Sequence, residues 1–181
     1  MPSGAPVAGA TVAETTLRSR ADAVVGWRYW QLSPSGLLRS VTQRGIEWEP
    51  GGIVHARCLG GGHPAPDERC ECGVHGARDL DTLREHGLCL APEALVVGEV
   101  ALWGRVVSEE ARFRGEHAVP ARLSVVGDLL AEEEVAGVVE RLGAYGVPVD
   151  TVHLTDAVAG VSAATLAFQA MAARASRTRA G

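Results

Sequence analysis

The spacing of apolar residues changes once along the chain, from two-residue steps through the first two thirds to helical steps after about residue 128. "VVGWRYWQL" (24–32), with Trp27, Tyr29 and Trp30, predicts a strand. "SPSG" (33–36) is a turn signal, and "LLRSVTQ" (37–43) predicts a return strand. "IEWEPGG" (46–52) leads through Trp48 into a Pro-Gly turn, after which "GIVHARC" (52–58) alternates apolar and polar until it delivers Cys58. Residues 59–69, dense in Gly and Pro, are not expected to hold regular structure. In "ARDLDTLREHG" (77–87), Leu80 and Leu83 lie one helical turn apart and Gly87 is a stop signal, which predicts a short helix. Residues 94–110 read as strand on either side of Gly104, and 111–127 as a turn and a returning strand.

In the last third, Asp128 is the expected N-cap of a helix whose buried stripe is Val135, Val138, Val139 and Leu142. Glu132, Glu133 and Glu134 fall near its positive end. "VPVDTVHL" (147–154) predicts a strand, so that "ARLSVV", the helix and this strand form a β-α-β unit. An Ala-rich helix over 160–178, carrying Val161, Leu166, Phe168 and Met171, is expected to follow. No internal repeat is present. The expected fold class is α+β: a flexible leader over 1–22, a β-rich metal-binding module over 23–127, and a helical/β-α C-terminal segment over 128–181 with β-α-β-α order, packed on the same domain.

Composition narrows the function. With 181 residues and 46% apolar content, the chain can bury one ordinary core. No apolar run approaches the roughly 20 residues of a membrane-spanning helix. The start, "MPSGAPVAGATVAETTLRSR", lacks the basic and greasy regions of a secretory signal, so a cytoplasmic location with reduced thiols is expected. Net charge is −5, and Arg57 to His86 carries four arginines against six acids, which argues against a nucleic-acid partner. Only the tail, with Arg174, Arg177 and Arg179, is locally basic. There is no lysine or asparagine and only two isoleucines, a usage that points to a high-GC genome such as that of an actinobacterium or one of its phages.

The chemistry concentrates in "CLGGGHPAPDERCECGVH" (58–75), which holds three of the four cysteines and two of the six histidines. Cys58, His63, Cys70 and Cys72 supply four soft or borderline donors within fifteen residues, the number and type a tetrahedral zinc ion takes. In extended chain Cys70 and Cys72 share a face, and Gly73 lets the backbone curl past them. His75 is an alternative fifth ligand or a residue supporting the ligands. Competing readings are plain thiols, a disulfide from Cys58 to Cys70 or Cys72, and an iron–sulfur cluster that recruits Cys89. Cys89 itself, in "GLCLAP", suits a buried structural thiol, and His86 suits the end of the short helix.

Four donors so close together favour a closed, structural site. A catalytic site would use three of them with Glu68 or Glu71 as base, but the deaminase pattern and HExxH are absent. No dinucleotide fingerprint, phosphate loop or nucleophile elbow appears. Asp156 reads as the cap of the last helix, the tryptophans as core or partner-facing residues rather than a base-stacking platform, and the charges of 103–123 as a solvated hairpin.

The segments "GWRYW", "WEPG", "HPAPDERCECGVHGARDL" and "VALWGRVVSEEARFRGEHAVPARL" resemble a loose set of small, uncharacterised actinobacterial and phage-encoded proteins. Those pair a Cys…His…CxCG segment with a later "LWG" strand and an arginine-containing "A-x-P" stretch. The resemblance spans roughly residues 25 to 125 and implies that the segment is a module; it implies no activity. Many members of the set have an aromatic residue in place of His75, which implies that His75 is not a general ligand. The resulting expectation is a zinc-stabilised binding or adaptor module that contacts a protein partner. The alternatives are a metal-dependent, zinc hydrolase-like enzyme and a thiol-based redox or metal sensor.

Overall fold

A computed structural model describes residues 13–41, 45–87, 96–127 and 130–152. Among the described residues the fold is α+β and dominated by one nine-stranded sheet. Its strands are β1 (Glu14–Arg18), β2 (Val24–Leu32), β3 (Leu38–Ser40), β4 (Glu47–Trp48), β5 (Val54–His55), β6 (Val74–Ala77), β7 (Val96–Ser108), β8 (Arg112–Val126) and β9 (Val149–Val152). Two α-helices, α1 (Leu80–Gly87) and α2 (Glu132–Leu142), and two 3-10 turns, Arg20–Asp22 and Gly143–Tyr145, complete the described elements.

Two long strands organise everything else. β7 and β8 form an antiparallel hairpin from Val96↔Val125 to Ser108↔Phe113. β2 runs along the first half of β7, and β1 along its second half. β6 pairs with β8 and touches β2 at Trp27↔Ala77, so that β2, β7, β8 and β6 close a ring. A closed ring leaves fewer exposed edges than an open sheet. Between Trp103 and Val106 the register of β7 slips, with Gly104 at φ +77° and the Arg105 N–H donated to the Glu116 carboxylate at 2.9 Å. The glycine thus marks a bulge inside one continuous strand, in keeping with the strand character expected on either side of it.

The core lies where Trp30, Leu38 and Trp48 meet Val100, Leu102, Leu123 and the α2 residues Val138 and Leu142. Trp30 and Trp48 pack edge to face at 5.4 Å, and the Trp48 indole N–H donates to Ser40 Oγ at 3.0 Å. Tyr145, just after α2, donates its hydroxyl proton to the Trp48 carbonyl at 2.5 Å and accepts the Leu38 N–H at 2.9 Å. One phenol therefore stitches the C-terminal segment to the first hairpin.

Residues 14–22, expected to be leader, instead form β1 and a 3-10 turn over Arg20–Asp22. The gain is ladder hydrogen bonding: Thr15, Thr16 and Leu17 suit a strand, and the free edge of β7 supplies the partner. α2 starts at Glu132 behind Ala131, whose N–H is accepted by the Glu134 carboxylate. β8, α2 and β9 are in sequence order, with β8 and β9 parallel from Leu123↔Val149 to Val126↔Val152. The expected final helix over 160–178, Asp128, Asp156, Cys89 and the basic tail lie outside the described residues.

Candidate metal centre

The loop between β5 and β6 leaves the sheet at Ala56, whose N–H is bonded to the Glu116 carbonyl of β8 at 2.8 Å, and re-enters at Val74. Both ends are therefore fixed on β8. Within the loop, the Asp67 carboxylate accepts the Arg69 N–H at 2.9 Å and the Asp67 carbonyl accepts the Cys70 N–H at 3.2 Å, making a tight turn. Gly73 follows at φ +128°, and a Cβ there would come within 3.1 Å of Pro66 and Arg114 side-chain carbons. Glycine is needed at that point.

This path brings one donor atom from each of Cys58, His63, Cys70 and Cys72 within 4.8 Å of all the others. They lie close enough to hold a metal ion. The three cysteines are free thiols, with Cys58 Sγ 3.7 Å from Cys70 Sγ and 3.3 Å from His63 Nε2. Zinc–sulfur bonds of about 2.3 Å at tetrahedral angles put sulfurs about 3.8 Å apart, so the Cys58–Cys70 separation is that of a coordination edge. It is far longer than the roughly 2.05 Å of a disulfide. His63 Nδ1 is 3.1 Å from the Pro64 carbonyl, which fixes the proton on that nitrogen and turns Nε2 toward the sulfurs. The same hydrogen bond raises the His63 pKa.

Backbone dipoles sort the thiols. The Cys72 N–H, bonded to the Cys70 sulfur, is the largest influence holding the Cys70 pKa down to about 7. Burial pushes the Cys72 thiol up, against a hydrogen bond from the Asp67 backbone. A divalent cation among them would draw all three to the thiolate form.

Behind the loop stands a residue that sequence reasoning placed on a solvated surface. Arg114 of β8 is 1% exposed. Its Nη1 donates to the carbonyls of Asp67 and Cys72, each at 2.9 Å, and to that of Cys70. Its Nε and Nη2 grip Glu109 Oε1 at 2.9 and 2.7 Å. One guanidinium thus caps three carbonyls of the donor loop, and the carboxylate neutralises it. Burial acts to raise the Glu109 pKa, yet hydrogen bonds from Arg112 and Arg114 hold it below the ordinary carboxylate range. Arg112 continues the network to Glu71 at 2.5 Å. No periodicity signals such a residue; only the pairing of β8 with β6 places Arg114 under the loop.

The two acids considered as bases are both occupied. Glu71 pairs with Arg112, and Glu68 accepts the Thr15 hydroxyl of β1. His75 lies outside the four-donor group; its Nε2 is 2.9 Å from the Glu71 carbonyl, and burial lowers its pKa to about 4. Trp30 and Trp48 are core, whereas Trp27 and Tyr29 are half-buried. Among the described residues, no helix is long and apolar enough to cross a membrane. Comparison with protein-family models, curated proteins and solved structures found no match to the chain.

Proposed function

We propose that Cys58, His63, Cys70 and Cys72 hold a single structural zinc ion and that the protein is a cytoplasmic binding or adaptor module for a protein partner. The observation that carries the structural reading is the engagement of both neighbouring carboxylates: four donors fill a tetrahedron, and Glu68 and Glu71 are each bonded elsewhere. Three sulfurs and one imidazole suit zinc better than the oxygen-seeking cations. The ion would order a Gly/Pro-rich loop that has little apolar material of its own, a contribution on the order of 10 kcal/mol in small zinc domains.

The partner-facing reading rests on Leu59, next to Cys58, which the loop holds 84% exposed. Leu17 on β1 is 82% exposed. Apolar side chains presented on a fixed loop are ready contact points for another protein.

Metal analysis with X-ray absorption on the purified protein is expected to show one zinc per chain with three sulfur neighbours, one nitrogen and no water. A photo-crosslinker at position 59 is expected to capture a discrete protein in cells, and Cys70→Ser to abolish both the metal and the crosslink. A water ligand on the metal would move the assignment to an enzyme. Zinc ejection by low peroxide with a Cys58–Cys70 disulfide would move it to a thiol sensor.

A further inference from the structure

A cavity of about 450 Å³ opens beside the donor loop, with Trp27, Tyr29, Ile46, Trp48, Val54 and Leu83 among its walls. Such a volume suits a small organic molecule, and pockets of this kind pair apolar walls with a few fixed polar groups. Here the fixed polar group is Arg28 of β2. Its side chain is partly buried, and the cavity reaches it. Nη1 donates to the His75 carbonyl at 2.6 Å and Nη2 to Ser40 Oγ at 3.2 Å. The guanidinium carbon sits 5.3 Å from the centre of the Trp48 ring.

These partners are neutral. Among the described residues, Arg28 has no carboxylate partner, its Nε is buried without any acceptor, and two of its five N–H groups account for all its hydrogen bonds. Burial lowers its pKa to about 10. A charge enclosed at such cost is ordinarily paired. Arg114, one strand away, is paired by Glu109; Arg28 has only the open cavity in front of it. The other cations at the cavity do not substitute for it, since Arg112 is tied to Glu71 and Glu109 and Arg57 is exposed.

We propose that this cavity binds a small organic monocarboxylate with an apolar, preferably aromatic, body, whose carboxylate pairs with Arg28 while its ring lies against Trp48, Ile46 and Val54. A single enclosed guanidinium with spare N–H groups matches one planar carboxylate, and the greasy walls exclude a ligand charged all over, such as a polyphosphate. The site is separate from the four-donor cluster and does not depend on which metal that cluster holds.

Calorimetric titration of the metal-loaded full chain with 2-naphthoate and with 2-naphthamide, the same shape without charge, tests it. The expected result is naphthoate binding at least tenfold tighter than the amide, with the preference erased in Arg28→Met and retained in part in Arg28→Lys. Thr82→Trp, which places an indole in the cavity wall, is expected to abolish naphthoate binding with the melting temperature preserved; it decides the matter should Arg28→Met fail to fold. Equal affinity for the two probes, no naphthoate binding at millimolar concentration, or a preference that survives Arg28→Met would overturn the proposal.

Discussion

Two enclosed arginines, Arg114 on β8 and Arg28 on β2, face opposite problems. Arg114 directs its guanidinium into the back of the donor loop, where three carbonyls and the Glu109 carboxylate use its donors. Arg28 makes two neutral hydrogen bonds and faces a cavity. The first is an internal brace whose charge is consumed by the fold. The second leaves its charge available. The difference separates a residue that builds a site from one that waits for an occupant.

The comparison breaks most readily at Arg114. Arg114→Met removes the caps on Asp67, Cys70 and Cys72 and strands Glu109 beside Arg112 alone; removing one partner of a buried pair costs about 3–5 kcal/mol. The expected outcome in denaturant unfolding is a loss of that size, with at least tenfold weaker metal retention against a chelator.

His75 comes next, because its carbonyl holds Arg28 while its half-buried ring is bonded to the Glu71 carbonyl. Burial, against the hydrogen bond to the Glu71 carbonyl and with Arg28, Arg112 and Arg114 nearby, lowers its pKa from 6.5 to about 4, so between those values the unfolded chain binds more protons than the folded one. Stability is complete above about pH 6.5 and is lost as pH falls toward 4, by up to about 3 kcal/mol. His75→Phe is expected to flatten that slope relative to the parent. Metal loss in acid acts on both chains, so the difference between their unfolding curves isolates the ring. An unchanged slope would show that the imidazole protonates in place.

The smallest effect belongs to Arg28. Arg28→Met gives up two hydrogen bonds but relieves an uncompensated buried charge, so the melt is expected to change by about 1 kcal/mol or less in either direction. A loss as large as that of Arg114→Met would erase the distinction between the two arginines and make both structural.

Much of this was legible in the sequence because the signals were local. The alternation in "VVGWRYWQL" and the stripe Val135–Leu142 mark a strand and a helix without reference to anything distant. The donors Cys58, His63, Cys70 and Cys72 are likewise near neighbours along the chain. β1 was illegible because its five residues become a strand only against the free edge of β7. Arg114 and Arg28 were illegible for a related reason. An arginine in an alternating strand looks the same whether it points to water, to a carboxylate or into a cavity, and only the pairing of distant strands decides.

The long β7–β8 hairpin has a consequence for how the chain reaches this state. Its strands are consecutive and turn within the three residues 109–111, so closing it costs little loop entropy. The β2–β7 seam instead joins residues far apart in sequence, Val24 to Leu102, and belongs to the slow class of non-local pairings. Assembly is expected to start at the hairpin. An early intermediate would then expose the side of β7 later covered by β2, and it is in that interval, rather than in the finished molecule, that self-association is most to be expected.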